Sequence, residues 1–419
     1  MMPRSERGGP LAGVRVLDLT RILSGPFCSM MLADWGADVI KVEEPGEGDN
    51  TRRWGPPFIA GESAYFLSVN RNKRSIALDL KRDEGRRILH RLAARADVVI
   101  ENFRPGTAQR LGAGYEELAA LNPRLIYCSI SGFGQDGPYR ERPGFDAVAQ
   151  AMSGMMSITG EPDGPPMKHG MSIGDLAAGM WAAFAITSAL YEREKSGRGQ
   201  YLDVSLLDSL ISWLTFVAAG HFATGQLPQR YGSGHPTLVP YQPFATADGY
   251  LMLAVGNDKQ WQIFCRVAGL AAAAADPRFA TNAGRVVHRD EVVATVAAAM
   301  KERSTADWQQ ALEEAGVPCG PIYNLEQVFA DPQVQARGMV VEFDHPVAGR
   351  VKTVGTPVKL SRTAPQPPEP APLLGEHTRA ILREAGYSDR EIDALIEAGA
   401  ASEAAHRPPT AAPGEGRSA

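Results

Sequence analysis

The stretch GVRVLDLTRILSGPFCSMMLADWGADVIKVE, residues 13–43, decides the fold because strand-like and helical patterns alternate within it. The β-branched run VRVLDL (14–19) is followed by the helical pattern FCSMMLADWG (27–36) and by a second run, DVIKVE (38–43). Strands that alternate with helices predict an α/β fold with a largely parallel, Rossmann-like sheet. The alternation continues through SIALDL (75–80), EGRRILHRLAARA (84–96), DVVIEN (97–102) and LIYCSI (125–130).

The rest of the chain indicates a second, smaller domain. A Gly- and Pro-rich loop precedes a helix predicted from about Leu176 to Lys195, and a strand (201–206) and an apolar helix (207–224) follow. The composition then changes at GQLPQRYGSGHP. We therefore predict a first part of the large domain (10–224), a linker (225–236), a small α/β domain (237–330) and a return to the large domain (331–400).

The composition narrows the class of protein. Apolar residues make up 44% of the 419 residues and charged residues 22%, which is typical of a globular chain. A net charge of −5 provides no basic surface for nucleic acid or an anionic membrane. The four cysteines are far apart and form no CxxC pair, so we expect neither a metal site nor a disulfide framework.

Both ends of the chain, residues 1–9 and 402–419, are predicted to be disordered tails. The start MMPRSERGGP lacks the apolar segment of a secretory signal. We find no apolar run of the ~18 residues that a membrane span needs. The expectation is a soluble, cytoplasmic protein.

Two short motifs suggest other enzyme classes. Gly132–Gly137 fits the dinucleotide pattern GxGxxG, but Pro138 and Pro143 follow where that pattern requires a helix, so we predict a turn. Gly170–Gly174 fits the GxSxG elbow of α/β-hydrolases around Ser172. The elbow requires a buried strand directly before it, and the preceding GEPDGPPMKH does not form one.

Asp175 opens the helix that follows this second motif, and its residue type leaves two roles open. It can be an N-cap that accepts hydrogen bonds from free backbone N–H groups. It can also be a nucleophile, because a helix N-terminus favours the ionised carboxylate. The small residues at 177–179 would leave room for a bulky ligand.

Basic residues flank several of the predicted strands, in NRNKRS (70–75) and at Lys81, Arg104 and Arg110. One interpretation is a solvated surface. The other is a phosphate site, because open α/β sheets bind ligands at the ends of their strands.

A series of longer motifs identifies a family. In order they are LAGVRVLDLTRILSGPF (11–27), GADVIKVEEPGEGD (36–49), NRNKRSIALDLK (70–81), DVVIENFRPG (97–106), SISGFGQDGP (129–138), GDLAAG (174–179), SGRGQYLDVSLLD (196–208), GVPCGPI (316–322) and PLLGEHT (372–378). With these motifs the chain resembles the class III CoA-transferases, the family of formyl-CoA transferase, carnitine CoA-transferase and α-methylacyl-CoA racemase. The resemblance implies a Rossmann-like large domain built from both chain ends, a smaller domain and an interlocked homodimer.

The resemblance also implies a role for Asp175. It occupies the place of the catalytic aspartate, which exchanges CoA between acids through an aspartyl anhydride and an aspartyl-CoA thioester. An aspartate with a pKa near ~4 would already be ionised for this attack at neutral pH. The racemase would need a histidine where this chain has Phe145, and a phenylalanine side chain carries no proton, so a transferase is expected.

The resemblance further implies the ligand contacts. CoA esters are expected as substrates, with no permanently bound cofactor. Glu44 stands where the family often has an arginine. The mobile active-site loop of the family corresponds to Gly232, Gly234 and His235, and the expected CoA contacts are Ser24, Leu78, Lys81, Asn102, Phe103, Arg104, Arg110 and Phe145.

Several long matching stretches, among them TRRWGPPF (51–58) and GFDAVAQAMSGMMSITG (144–160), are most similar to family members that act on dicarboxylic acids. They imply succinyl-CoA as donor and glutarate or hydroxymethylglutarate as acceptor, with itaconate, malate, mesaconate and oxalate as alternatives. The distal carboxylate would need a partner, for which Arg230, His235 and Tyr241 are candidates.

Overall fold

The computed structural model describes residues 8–404, which divide into two compact units. Both ends of the described chain belong to the first unit. Within the described range, the first unit contains residues 8–155, 169–215 and 333–404, and the second contains residues 156–168 and 216–332.

This division differs from the predicted one in two places. The second unit already begins at Phe216, before the predicted linker 225–236, and it also takes in residues 156–168 from the long loop. Most of the two predicted tails, residues 1–7 and 405–419, lies outside the described residues. Ser402, which we placed in a disordered tail, instead lies in a strand and pairs with Ala77.

The strands are short, and six of the fourteen in the described residues match the six strands predicted from the sequence. They are β1 (Arg15–Asp18), β2 (Asp38–Glu43), β3 (Phe58–Ile59), β4 (Glu62–Ser63), β5 (Lys73–Leu78), β6 (Val98–Glu101), β7 (Ile126–Ser131), β8 (Tyr201–Ser205), β9 (Tyr241–Ala245), β10 (Tyr250–Ala254), β11 (Cys319–Pro321), β12 (Val340–His345), β13 (Gly349–Val354) and β14 (Ala401–Ser402).

The helices fill the segments between the strands. They are α1 (Ser24–Asp34), α2 (Ala64–Val69), α3 (Asp83–Ala93), α4 (Thr107–Arg110), α5 (Tyr115–Leu121), α6 (Asp146–Met152), α7 (Ile173–Ser196), α8 (Leu206–Ser212), α9 (Thr215–Thr224), α10 (Asp258–Val267), α11 (Ala271–Ala275), α12 (Asn282–Val287), α13 (Arg289–Met300), α14 (Thr305–Glu314), α15 (Leu325–Ala330), α16 (Pro332–Ala336), α17 (Thr378–Glu384) and α18 (Asp389–Glu397). The single helix predicted over 207–224 was wrong, because α8 and α9 are separate helices.

A seven-stranded sheet organises the first unit, in the order β14-β5-β2-β1-β6-β7-β8. All neighbouring pairs are parallel except β14 with β5, which is antiparallel. The six parallel strands, counted along the chain, have the order 3-2-1-4-5-6 of a Rossmann sheet. The strand order reverses between β1 and β6, and ligands of such sheets bind beyond the carboxyl ends of the strands at this point.

Apolar layers cover both faces of this sheet, which is why its strands are continuous apolar runs. Neighbouring residues of one strand point to opposite faces, so Leu17 belongs to one layer and Val16 to the other. The first layer contains residues of α3, α5, α17 and α18, and the second contains residues of α1, α6, α7 and α8.

The second unit has a core of its own. Its sheet has three antiparallel strands in the order β11-β10-β9. The side chains of Trp261, Phe264 and Trp308 lie in the buried cluster beside this sheet. This unit therefore folds around an apolar centre separate from the two layers of the Rossmann sheet.

Helix α7 is the longest helix in the described part of the chain, and it ends at Gly197, which has the left-handed φ of +74° that a helix terminus favours. Within residues 8–404 it is the one helix that length and composition alone would allow to span a membrane. The sequence interpretation missed this. Ala182 and Ile186 on one face of α7 are fully buried in the second layer, so we interpret α7 as a helix that packs this face against the sheet.

Helices α1 and α7 pack closely because Gly179 has no side chain. A Cβ atom at Gly179 would lie 2.6 Å from the carbonyl oxygen of Ser24. Asp175 precedes Gly179 by one turn of the helix, so this contact also brings the start of α1 to Asp175.

We expect Gly179→Ala to lower the free energy of unfolding by about 1–3 kcal/mol, because the added methyl group overpacks the helix contact. Gly220 is the matched control, since it lies within α9 and a Cβ atom there would meet nothing within 4 Å. Gly220→Ala should be neutral or stabilising by up to ~1 kcal/mol through helix propensity. Urea unfolding of both variants measures this, and equal effects at the two sites would contradict the packing described here.

Candidate active site

A cleft of about 220 Å³ lies beyond the carboxyl ends of β1, β6 and β7, at the point where the strand order reverses. Its walls come from the loops after these three strands, from the first turn of α7 and from the segment before α6. The residues that line it are Ile22, Ser24, Asn102, Phe103, Arg104, Pro105, Ile130, Ser131, Gly132, Arg140, Arg142, Pro143, Gly144, Phe145, Asp175 and Leu206.

Asp175 is the partly buried carboxylate of this cleft. It is the third residue of α7, so the N-cap role that the sequence left open does not apply to it. The residue at the cap position is Ser172, whose side chain makes no capping hydrogen bond. The free N–H groups of Gly174 and Asp175 donate instead to Oδ1 of Asp146, at 2.7 and 3.4 Å.

The environment of Asp175 raises its pKa to about 7. Burial is the main cause, the negative charge of Asp146 adds to it, and a hydrogen bond with Ser24 opposes them. The expectation of an ordinary, fully ionised aspartate at neutral pH was therefore wrong. The helix N-terminus does not lower this pKa, because its nearest N–H groups are bound to Asp146.

The small residues after Asp175 have a structural role. Ala177 and Ala178 are fully buried, and Gly179 is the contact point with α1. The expectation that they leave room for a ligand was wrong, because this space is filled by helix packing. The motif GDLAAG thus fixes the direction in which the first turn of α7 presents Asp175.

A buried network of ion pairs supports the loop between β1 and α1. Lys73 Nζ lies 3.1 Å from Asp18 Oδ2 and donates to the carbonyl oxygen of Pro26 at 2.9 Å. Lys41 Nζ lies 2.9 Å from Asp49 Oδ2, and Asp49 Oδ1 accepts from the N–H of Ile22. Paired charges of this kind hold the loop in one conformation.

This loop contains a strained residue at the cleft. Ile22 has a φ of +73°, which is unfavourable for a β-branched residue. Such backbone outliers persist only where the surrounding structure determines them, and they concentrate at functional sites. Here the Asp49 hydrogen bond holds Ile22, and Ser24 follows two residues later.

The basic segment NRNKRS (70–75) is neither a solvated surface nor a phosphate site. Arg71 forms an ion pair with Asp34 at 2.6 Å, and Arg74 forms one with Asp38 at 2.9 Å. Both arginines are buried, as is Lys73. These charges therefore stabilise the fold around β5, and for this segment both interpretations offered from the sequence were wrong.

The loop after β6 is tied to the loop after β1. Asn102 accepts from the N–H of Arg21 at 2.9 Å and donates to the carbonyl oxygen of Arg21 at 2.7 Å. Glu101 accepts from the N–H of Phe103 at 2.8 Å, and burial raises the pKa of Glu101 to about 7. The side-chain amide of Asn102 thus joins the two loops, and Phe103 and Arg104 line the cleft.

A second, smaller cleft contains two other predicted CoA contacts, Leu78 and Lys81, and shares Phe103 with the first. Leu78 is buried, and Lys81 Nζ lies 2.7 Å from Glu44 Oε1. Glu44, which stands where the resemblance implies an arginine, therefore binds Lys81. Arg110 is exposed, is absent from the described lining of both clefts and donates to the hydroxyl of Thr107.

The segment between β7 and α6 contributes two arginines that the sequence interpretation missed, Arg140 and Arg142. Gly132 and Gly144 approach so closely that a Cβ atom on Gly132 would lie 2.7 Å from the Cα of Gly144. This contact closes the segment into a loop on the cleft. Phe145 ends the loop with its ring 60% exposed. The spacing of the two glycines is the sequence signal that could have indicated the loop.

The two alternative motifs lack the structures that they require. No helix begins at Gly132–Gly137, where the described backbone bends, and a hydrogen-bonded turn that starts from Gly137 follows at residues 138–140. Residues 159–172 contain no strand before Ser172, as a nucleophile elbow would need. His169 Nδ1 accepts a hydrogen bond from the N–H of Met171 at 3.1 Å.

Gly232, Gly234 and His235 lie in the second unit, beside a groove of that unit. The ring of His235 stacks on Phe216 with centroids 5.7 Å apart. Arg230 donates to the carbonyl oxygens of Glu161, Pro162 and Gly164. The Arg230 guanidinium is thus hydrogen-bonded to backbone carbonyl groups. This argues against Arg230 as the partner of a substrate carboxylate.

We predict that Asp175→Asn stabilises the protein at pH 8 and has little effect at pH 4. The pKa of Asp175 rises from an ordinary 3.8 to about 7 on folding. Between these values the folded state binds more protons than the unfolded chain, so the stability that this group contributes falls as the pH rises. We expect a gain of roughly 1–3 kcal/mol at pH 8.

Thermal unfolding across this pH range provides the measurement. Asp163→Asn, at an exposed carboxylate, serves as the matched control and should show no such dependence. A pH-independent effect of Asp175→Asn would contradict the assigned environment.

Comparison with known proteins finds similar proteins over most of the chain. The sequence profile of CoA-transferase family III matches residues 11–378. The succinyl-CoA:glutarate CoA-transferase of Mus musculus is 46% identical, over 93% of this chain and 90% of the mouse protein. The succinate–glutarate CoA-transferase of Agrobacterium fabrum is also 46% identical, over 92% of this chain and 98% of its own.

A solved structure is similar over the same region. The crystal structure of a CAIB/BAIF family protein from Brucella suis superposes with a TM-score of 0.82 at 45% identity, covering 90% of this chain and all of that one. Because the profile and the relatives match nearly the whole chain, this protein belongs to CoA-transferase family III.

Proposed function

We propose that this protein transfers CoA from succinyl-CoA to a dicarboxylic acid such as glutarate or hydroxymethylglutarate. The observation that carries the proposal is the position of Asp175, a carboxylate at the cleft where a Rossmann sheet binds its ligand. The donor and acceptor are suggested by the two relatives with 46% identity, which are named for succinate and glutarate.

Asp175 acts as the nucleophile. Its carboxylate oxygen attacks the carbonyl carbon of the donor thioester, the C–S bond breaks, and CoA leaves as the thiolate from a mixed anhydride. The thiolate then attacks the aspartyl carbonyl, which releases the donor acid and leaves an aspartyl-CoA thioester. The acceptor carboxylate attacks this thioester to form a second anhydride, and the thiolate takes the acceptor acyl group and frees Asp175.

CoA binds across the two clefts of the first unit. They share Phe103, and the first has Arg104, Arg140 and Arg142 in its wall. Guanidinium groups bind phosphate and carboxylate through paired hydrogen bonds. We propose Ser24, Leu78, Lys81, Asn102, Phe103, Arg104, Arg110 and Phe145 as CoA contacts, and Gly232, Gly234 and His235 as a substrate loop.

We further propose that the chain forms an interlocked homodimer in the cytoplasm. Helix α7 presents a row of exposed apolar side chains, including Trp181 (42% exposed), Phe184 (63%) and Tyr191 (68%). Apolar groups at this spacing on one helix form a surface that a partner would cover. A second copy of the chain is the occupant that the family resemblance implies.

The proposed exchange of CoA can be followed through its products. Protein mixed with succinyl-CoA and a panel of acids (glutarate, hydroxymethylglutarate, itaconate, malate, mesaconate, oxalate, acetate) should form new CoA esters with dicarboxylates only, detected by liquid chromatography. Asp175→Asn and Asp175→Ala should lose transfer by on the order of 10³-fold or more, because the covalent route is removed.

Both variants should still bind CoA in calorimetry. Ser172→Ala, three residues before the nucleophile, is the matched control and should keep its activity. Near-normal transfer by Asp175→Ala would refute the proposed mechanism. Racemisation of a 2-methylacyl-CoA without any transfer would instead favour the racemase branch.

The proposed dimer can be tested in solution. Sedimentation should show a dimer that persists on dilution, and tagged and untagged dimers should exchange subunits only after unfolding. Phe184→Glu should weaken the dimer because it buries a charge. Val287→Glu, at a similarly exposed apolar residue of the second unit, should not. A wild-type monomer would contradict the proposal.

A further inference from the structure

Asp146 is a buried carboxylate that the reaction described above does not use. It is the first residue of α6, yet its hydrogen bonds go largely to another helix. Oδ1 accepts from the N–H groups of Gly174 and Asp175, and Oδ2 accepts from Nε2 of Gln150 at 2.7 Å. Asp146 therefore caps the start of α7 from outside that helix.

We propose that Asp146 is a positioning residue for the nucleophile, a role that rests on the CoA transfer proposed above. Its carboxylate fixes the first turn of α7, and it places a second negative charge against the carboxylate of Asp175. The two effects have separate consequences, one for the direction of attack and one for the reactivity of the nucleophile.

The positional effect follows from the hydrogen bonds. A helix begins with backbone N–H groups that have no partner within the helix, and an unbound first turn frays. Gly174 is bound at 2.7 Å, and a Cβ atom there would lie 3.0 Å from Asp146 Oδ1. The glycine thus lets the capping carboxylate come close, and the residue held next to it is Asp175.

The electrostatic effect follows from where the charge moves. When Asp175 attacks the thioester, its negative charge passes to the departing sulfur, and the acylated aspartate is neutral. Repulsion by Asp146 is present before the attack and is relieved afterwards. An interaction that is less unfavourable in the transition state than in the ground state accelerates the step.

Other groups close to Asp175 also influence the charge of its carboxylate and limit the effect of the repulsion by Asp146. Ser24 at the start of α1 binds the carboxylate and favours its ionised form. Tyr65 of α2 is close enough that Asp175 helps to raise the pKa of the tyrosine to about 12, after burial as the main cause. Arg104, Arg140 and Arg142 line the same cleft and favour negative charge in it. Asp146 is the carboxylate that acts in the opposite direction.

The test compares variants that remove the charge or move it. Asp146→Asn keeps an oxygen that can accept from Gly174 but loses the charge. We expect the rising limb of kcat/KM against pH to move to lower pH by about one unit, as a neighbouring charge typically does, while the plateau rate falls. Asp146→Glu keeps the charge and displaces it, so the midpoint should stay and kcat should fall about tenfold.

Asp276→Asn is the matched control, because that aspartate caps the turn at Pro277–Phe279 in the second unit. Its midpoint and kcat should equal those of the wild type. An unchanged midpoint in Asp146→Asn would overturn the proposal. If Asp146→Asn does not fold, a wild-type kcat in Asp146→Glu would overturn it.

A second readout needs no activity and separates this proposal from the proposed function. The pH-dependent stabilisation by Asp175→Asn should shrink when Asp146 is already asparagine, because part of the unfavourable interaction is then gone. An unchanged stabilisation would contradict the role of Asp146 even in a protein that transfers CoA. Absence of transfer in the wild type would refute the proposed function alone.

Discussion

The site depends on the hydrogen bonds that the carboxylate of Asp146 accepts from the N–H groups of Gly174 and Asp175 at the start of α7. This carboxylate occupies the positive end of the helix, so this end does not neutralise Asp175. Burial and the second charge then raise the pKa of Asp175 to about 7. A carboxylate in such surroundings is less stable but more basic than an ordinary aspartate, and a more basic oxygen is the better nucleophile toward a thioester.

The remaining parts of the first unit bring the ligand loops to this carboxylate. The sheet order places the ends of β1 and β6 side by side, and Asn102 joins the loops that follow them through the backbone of Arg21. Buried ion pairs under the β1–α1 loop hold Ile22 in a strained conformation and fix the start of α1. Gly179 then allows α1 to approach α7, so that Ser24 meets Asp175. The backbone strain at Ile22 and the buried carboxylate of Asp175 are costs to stability that a rigid site requires.

The sequence predicted the elements that follow from local patterns and missed what depends on distant contacts. The parallel strands and the helix at Asp175 were expected, because apolar runs and helix signals are local. The burial of Arg71 and Arg74 was not expected. A run of basic residues is typical of an exposed surface, and only the folded structure shows that Asp34 and Asp38 lie next to it. The pKa of Asp175 was misjudged for the same reason, because its burial, the main cause of the raised pKa, and the neighbouring charge of Asp146 both depend on the folded structure. Arg140 and Arg142 were overlooked because only the contact of Gly132 with Gly144 brings them to the cleft.

The most direct test of this account is to identify the residue that becomes acylated. The protein is incubated with succinyl-CoA and quenched with hydroxylamine, which converts an acylated aspartate into a hydroxamate, and its peptides are mapped by mass spectrometry. We expect a hydroxamate on Asp175 that appears only with the CoA ester and is absent in Asp175→Asn. Transfer that proceeds with no modification at Asp175, or with modification at Ser172 instead, would contradict it.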